Sequence, residues 1–297
     1  MSMEDIRSQE LQLGSARIHY YTSGQGEEAV VLLHGGGMDE ALLSWRYTLP
    51  YLGQHFAVTA PDWPGYGQSE VGESDLTLEG NAAFLLNFLD ALGIERARLV
   101  GISLGGGSAL QFALDHPQRV SQLVLVDSYG FQSRAPFHRL AYPFIQQDLW
   151  VRWTYAWLAR SRAMVRWTLG YILANRQAIT DELVEEVYAI CRKPGVWKSF
   201  YAFQKHEMLP HGLRSVLMDR LGELELPVTI LHGDRDQAVP LADAQAAARR
   251  LRDGQLVILP NSGHWPQRDH PERFNRVLLA CLQGRYADAR AAAEGGA

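Results

Sequence analysis

The sequence predicts an α/β protein: a mostly parallel central sheet with helices on its faces and a helical segment inserted after the sixth strand. Three observations predict it. Short apolar runs bounded by turn residues alternate with longer stretches of helical period, the signature of βαβ units. The runs are β-branched or leucine-rich without polar alternation, as strands buried on both faces should be. Between Phe131 and about Met218 this rhythm stops, and the chain becomes helical in period and crowded with aromatics.

Taken in order, the chain opens with a hairpin, Leu11–Leu13 and Ala16–Tyr21 around Gly14-Ser15, adding antiparallel strands at one edge. Further strands are expected at Ala29–Leu33, Phe56–Ala60, Arg98–Gly101, Gln122–Val126, Val228–Leu231 and Leu256–Leu259. Helices are expected at Leu78–Leu92, Leu104–His116, Leu241–Leu251 and Pro271–Leu282, the last with proline in its first turn, where a missing N–H costs nothing. This divides the chain into a core domain of residues 1–130 and 219–297 and a helical cap of 131–218. Five of the eight tryptophans lie in the cap, and most of its aromatics are expected to bury themselves in a small core of its own. Some would line an apolar pocket if the cap lies over a site. The tail from Gly284 to Ala297 reads as a frayed extension.

Composition narrows the function classes. At 47% hydrophobic and 21% charged, the 297 residues can bury a core without staples. A net charge of −5 and a pI of about 6.1 leave no basic footprint for nucleic acid. Cys191 and Cys281 are too few for a disulfide framework and lack metal-ligand spacing. The acidic start, Met1 to Asp5, has no apolar signal segment, and no run nears the ~18 apolar residues of a membrane span. These features lead to the expectation of a cytoplasmic protein with no membrane partner.

The chemistry begins at Gly101-Ile102-Ser103-Leu104-Gly105-Gly106, a G-x-S-x-G between a predicted strand and a predicted helix. A sharp turn there would lift the Ser103 hydroxyl above the sheet edge. A serine hydroxyl needs a base, and His264, after the last predicted strand, would hang over the strand ends where open α/β sheets bind ligands. His34 and His232 also end strands but start glycine loops, and are read as structural. No histidine pair has metal-ligand spacing, so neither metal nor cofactor is expected. The base needs a carboxylate to hold its tautomer. Asp236 is the candidate, with Asp234 as a turn former and Asp127, at a strand end, as the competitors. His34-Gly35-Gly36-Gly37 can aim the Gly36 N–H at the serine and, with the Leu104 N–H, form an oxyanion hole. The loop lacks the Gly-Lys-Ser/Thr ending of a phosphate site. Gly37, Ile102 and Trp265, which neighbour these groups, are expected to line the substrate site.

With those pieces and Pro61-Asp62-Trp63-Pro64-Gly65-Tyr66-Gly67-Gln68-Ser69, the chain resembles the α/β-hydrolase family from about residue 10 to 283. The resemblance implies the α/β-hydrolase fold and a triad in the order Ser103, Asp236, His264. Within the family, Gly263-His264-Trp265 with Gln267, and Ala189-Ile190-Cys191-Arg192-Lys193-Pro194, resemble the meta-cleavage-product hydrolases, which break a carbon–carbon bond. Two positions depart from that group: Ile102 stands where an asparagine is usual, and Glu186 aligns near the cap arginine that meets the substrate carboxylate. The reading is therefore a serine hydrolase of a small apolar ester or related acyl compound. Its alternatives are a carbon–carbon hydrolase, with Arg192 as a substitute cation, and a non-catalytic ligand-binding protein.

Overall fold

In the computed structural model, residues 5–295 are described, so the readings made for residues 1–4 and 296–297 lie outside it. The strands are β1 (Arg7–Leu13), β2 (Ala16–Ser23), β3 (Ala29–Leu33), β4 (Ala57–Pro61), β5 (Ala97–Ile102), β6 (Val120–Val126), β7 (Met208–Leu209), β8 (Gly212–Leu213), β9 (Val228–Gly233) and β10 (Gly254–Leu259). Eight of them form one sheet in the order β1-β2-β4-β3-β5-β6-β9-β10, while β7 and β8 pair only with each other. Pairing is antiparallel from β1 to β2 and from β2 to β4, and parallel across the rest. The outermost strand, β1, is the polar one, and its Arg7, Gln9 and Glu10 guard an unpaired edge.

The helices in the core are α1 (Ala41–Trp45), α2 (Thr48–Leu52), α3 (Leu78–Ala91) and α4 (Leu104–Asp115). The insert after β6 supplies α5 (His138–Ile145), α6 (Asp148–Leu158), α7 (Arg162–Ile172), α8 (Asp181–Cys191) and α9 (Trp197–Glu207). Then come α10 (Leu241–Ala248), α11 (Pro266–Asp269), α12 (Pro271–Leu282) and α13 (Tyr286–Glu294).

The unbroken apolar strands follow from burial of both faces. Successive residues point to opposite sides of a strand, so Val30 and Leu32 join one core with Trp45, Leu49 and Phe274 from α1, α2 and α12. Val31 and Leu33 join the other with Phe88 and Phe112 from α3 and α4.

Three expectations need correction. The segment after Gly284 is not frayed through residue 295: α13 buries Ala289 and Ala293 in the sheet-side core, because small side chains four apart let it lie flat there. The helix expected to run to Leu251 ends at Ala248. The insert buries only part of its aromatics in a core of its own, where Tyr201 packs with Ile145, Val151, Met208 and Leu213, and Tyr142, Phe144, Tyr155 and Trp197 lie against them. Leu158, Val165, Leu169 and Val187 merge with the core of the sheet, while Trp150, Trp153, Trp157 and Trp167 are 55–76% exposed.

Candidate active site

The strand order brings the candidate residues to one edge. β3 and β5 are neighbours with Leu33 opposite Gly101, so the loop His34–Gly37 and Ser103 leave the sheet side by side. β9 lies between β6 and β10, with Val126 opposite Leu231 and Gly233 opposite Leu259. The loops carrying Asp127, Asp236 and His264 therefore emerge together.

Ser103 has φ 52° and ψ −118°, a left-handed conformation that costs energy for a residue with a side chain. The turn is over-determined by its neighbours. Ser103 N–H donates to Val126 O at 3.0 Å, and Ser103 O accepts from Gly107 N and Tyr129 N, each at 3.0 Å. A Cβ on Gly101 would lie 2.3 Å from Gly105 O, so this turn closes only with glycine there. Strain held in this way at a strand-to-helix turn is what an exposed nucleophile requires.

His264 donates from Nδ1 to Asp236 Oδ2 at 2.8 Å. Asp236 Oδ1 accepts from Ala238 N at 2.7 Å and Val239 N at 3.1 Å, which fixes the carboxylate's orientation. Burial tends to raise the Asp236 pKa, but His264 and these hydrogen bonds outweigh it and hold the group below its ordinary range. The Nε2 of His264 is left for the cavity that His264 shares with Ser103.

The competing carboxylates are placed differently. Asp234 accepts from Ser262 N at 3.3 Å and ties two loops together. Asp127 is fully buried, accepts from Gly233 N at 2.9 Å and lies 3.5 Å from His232 Nδ1. Burial, then the charge of Asp236, push its pKa well above the ordinary carboxylate value. His232 Nε2 donates to Val239 O at 3.1 Å, and burial lowers the pKa of that ring. His34 bridges Gly35 O and the Trp63 N–H, at 2.7 and 3.1 Å. Both histidines hold loops, as expected. Asp127, His232 and Asp236 bring three possible metal-ligand atoms within 4.8 Å. Asp236 is engaged by His264 and two amides, whereas Asp127 Oδ2 and His232 Nδ1 are buried without a hydrogen-bond partner among the described residues.

Gly35 N–H donates to Asp39 Oδ2 at 2.7 Å, and the same carboxyl accepts from Ser44 Oγ at 2.7 Å and from Glu40 N at 2.9 Å. Buried Asp39 thus fixes the glycine loop and leaves the next amide, of Gly36, as the loop's candidate donor beside that of Leu104. A cavity of about 480 Å³ lies here, lined by Ser103, His264, Gly35, Gly36, Gly37 and Trp265 from the core. From the insert come Tyr155, Leu158, Leu169, Val187 and Phe200. Among the described residues that line it, none is Asp, Glu, Lys or Arg.

Gly37 and Trp265 thus line the cavity as expected, but Ile102 does not. It is fully buried in the core with Leu231 and Trp265, because the turn at Ser103 separates the directions of successive side chains. Glu186 is not in the cavity either. It pairs with Arg46 and, at 3.1 Å, with Arg268, and its neighbour Val187 takes the inward position. Arg192 is exposed, with its guanidinium 5.7 Å from the Tyr188 ring.

Sequence reasoning missed several participants. Asp269 accepts from Gly263 N at 2.6 Å and from Ala174 N and Asn175 N, clamping the His264 loop to the segment after α7. His264 N–H itself donates to Ile172 O at 2.8 Å. Phe200 lies against Gly36 and Gly37, and Tyr129 donates to buried Glu207 at 2.7 Å. Asp39 precedes Glu40, the N-cap of α1, and Asp269 ends the one-turn helix α11, so local pattern offers no sign distinguishing them from ordinary carboxylates at helix ends.

Residues 30–277 match the alpha/beta hydrolase family. The chain is 32% identical to a 2-hydroxy-6-oxo-6-phenylhexa-2,4-dienoate hydrolase of Burkholderia cepacia, over 91% of this chain and 92% of that one. It is 33% identical to a 2-hydroxymuconate semialdehyde hydrolase of Pseudomonas sp. (strain CF600), over 93% of each. Among solved structures, it resembles the 2-hydroxy-6-oxo-6-phenylhexa-2,4-dienoate hydrolase of Rhodococcus sp. strain RHA1. The TM-score is 0.76 at 25% identity, covering 94% of this chain and 99% of that one.

Proposed function

This chain belongs to the alpha/beta hydrolase family, and from that premise we propose that it is a serine hydrolase that cleaves an uncharged, apolar carboxylic ester or related acyl compound through an acyl-enzyme. Ser103 Oγ attacks the carbonyl carbon while His264 Nε2 takes its proton and Asp236 holds the ring and balances its charge. The amides of Gly36 and Leu104 receive the oxyanion. His264 returns the proton to the departing alcohol, then activates the water that frees the acid. Residues 131–218 act as the cap, whose Phe200 and Tyr155 form one side of the cavity. The scheme calls on no cofactor. A pure binding protein would have no use for a strained serine that shares its cavity with a carboxylate-held histidine.

The observation that carries the choice of substrate is the cavity's lining, which holds both Ser103 and His264 and no charged side chain. A substrate carboxylate buried there would forgo a charge-assisted contact worth roughly 1.5–3 kcal/mol.

A second reading, hydrolysis of a carbon–carbon bond, is supported by the relatives' names, which speak for it more strongly than for ester cleavage. The two readings share the triad and differ in the leaving group and in the charge of the substrate. Comparing kcat/KM for p-nitrophenyl butyrate and for a 2-hydroxy-6-oxo-dienoate separates them. We expect the ester to lead by tenfold or more. A tenfold lead for the dienoate, erased by Arg192→Ala, would install the second reading.

A further inference from the structure

Helix α6 carries two apolar faces where a surface helix ordinarily carries one. Val151, Tyr155 and Leu158 face inward and line the cavity. Leu149, Trp150, Trp153 and Trp157 form a second stripe at helical spacing that faces solvent, with Trp153 76% and Trp157 65% exposed. The three tryptophans and Phe144 rim a surface depression of about 700 Å³. Phe144 and Thr154 belong both to this depression and to the cavity, so the two adjoin. Single exposed apolar residues need no explanation, but a row of tryptophans marks a contact surface.

Charge identifies what it contacts. Residues 131–172 hold six arginines and one carboxylate, Asp148, in a chain whose net charge is −5, and of the six Arg162 and Arg166 are paired with Glu185 and Asp181. Asp148 is already engaged by Tyr201 and Lys205. Arg152 is exposed between Trp150 and Trp153, and Arg160 lines the depression. We infer that α6 docks the protein on an anionic phospholipid surface, its tryptophans at headgroup depth and Arg152 and Arg160 on lipid phosphates. A second copy of the chain is the poorer occupant, because a twofold contact would set these arginines against one another. The sequence-based expectation of no membrane partner rested on the lack of a spanning run. Among the described residues no helix is long and apolar enough to cross a membrane, but surface docking requires none. Because the depression adjoins the cavity, an apolar substrate held in the lipid can reach Ser103 from that side. This access rests on the proposed reaction, whereas the docking does not.

The experiment is flotation of the full chain with vesicles of phosphatidylcholine alone and of phosphatidylcholine with 30% phosphatidylglycerol (about one lipid in three). Tryptophan emission is recorded alongside. We expect binding to the anionic vesicles with a blue shift, weakened at high salt. Trp153→Ser with Trp157→Ser, and separately Arg152→Glu with Arg160→Glu, should each weaken it about tenfold or more. The far-UV circular dichroism spectrum and the thermal midpoint should stay unchanged in both variants and serve as the folding control. Absence of binding to anionic vesicles overturns the proposal. So does binding that charge reversal abolishes and tryptophan replacement spares, which would indicate a soluble polyanion. A wild-type dimer that Trp153→Ser with Trp157→Ser converts to monomer would assign the face to self-association and also overturn it.

Discussion

Asp127 and Asp236 are both buried beside His232, yet their environments shift their pKa values in opposite directions. Asp236 gains His264 and two amide donors, which hold its pKa down, and burial beside that charge pushes the pKa of Asp127 up. Asp236→Asn should therefore lower kcat by about 10⁴, since an amide favours the wrong histidine tautomer. Asp127→Asn, which keeps the shape of a group that does not touch His264, should cost about tenfold at most. Ser103→Ala sets the floor, with a loss on the order of 10⁴ or more. Steady-state kinetics of the three variants check this ranking, and equal losses at both aspartates would refute it. Their pH signatures also differ in sign. The pKa of Asp236 is lowered, so its stabilisation is present above the unfolded value and is lost as pH falls through the folded one. The pKa of Asp127 is raised, so folding binds a proton there and stability declines as pH climbs above the unfolded carboxylate value. Denaturation of Asp127→Asn from pH 4 to 8 should show a flatter fall than the wild type.

At the scale of elements, the glycine loop after β3 and helix α9 are made for each other. A Cβ on Gly36 would lie 2.4 Å from Phe200 Cε2, closer than atoms can approach. The loop can offer its amide to a substrate only because that residue has no side chain for the phenyl ring to meet. Gly36→Ala should thus displace either the loop or the ring and lower kcat/KM by about tenfold or more. Adding Phe200→Ala should return much of that loss. The double-mutant cycle reads the coupling directly, and additive losses would show that the two elements act independently.

At the scale of the molecule, the insert and the tail are both welded to the sheet's core. Leu158, Leu169 and Val187 from the insert pack in the same cluster as Val100 and Trp265. From the tail, α13 buries Ala289 and Ala293 there, and Arg290 donates to Gln255 of β10 at 2.7 Å. Ending the chain at Gly284 should expose this seam. At about 0.8 kcal/mol for each methyl-sized group, the two alanines alone account for roughly 1.5 kcal/mol, a fall of about 3–6 °C in Tm. Thermal unfolding of the truncated chain measures it, and an unchanged Tm would return the tail to the status of a frayed end.

Local pattern by itself determined the strand Ala29–Leu33, all of β6 (Val120–Val126) but its first two residues, the turn at Ser103 and the break in rhythm after Phe131. Each is written in neighbouring residues: apolar runs between turn formers, glycines flanking a serine, or the loss of alternation. Sequence also singled out Asp236 over Asp127, but the tertiary structure supplies the reason, which is a hydrogen bond and a pair of opposed pKa shifts between residues from different strand ends. Tertiary structure alone decided that Ile102 faces the core, that Val187 rather than Glu186 meets the cavity and that the tryptophans of α6 face outward. Helical period shows that apolar residues share a face, but which face meets the core depends on where distant elements lie. The insert's inward face is set by a sheet whose strands come from both sides of it in the chain. That is why periodicity could mark α6 as a helix and could not say that its tryptophans are left to the solvent.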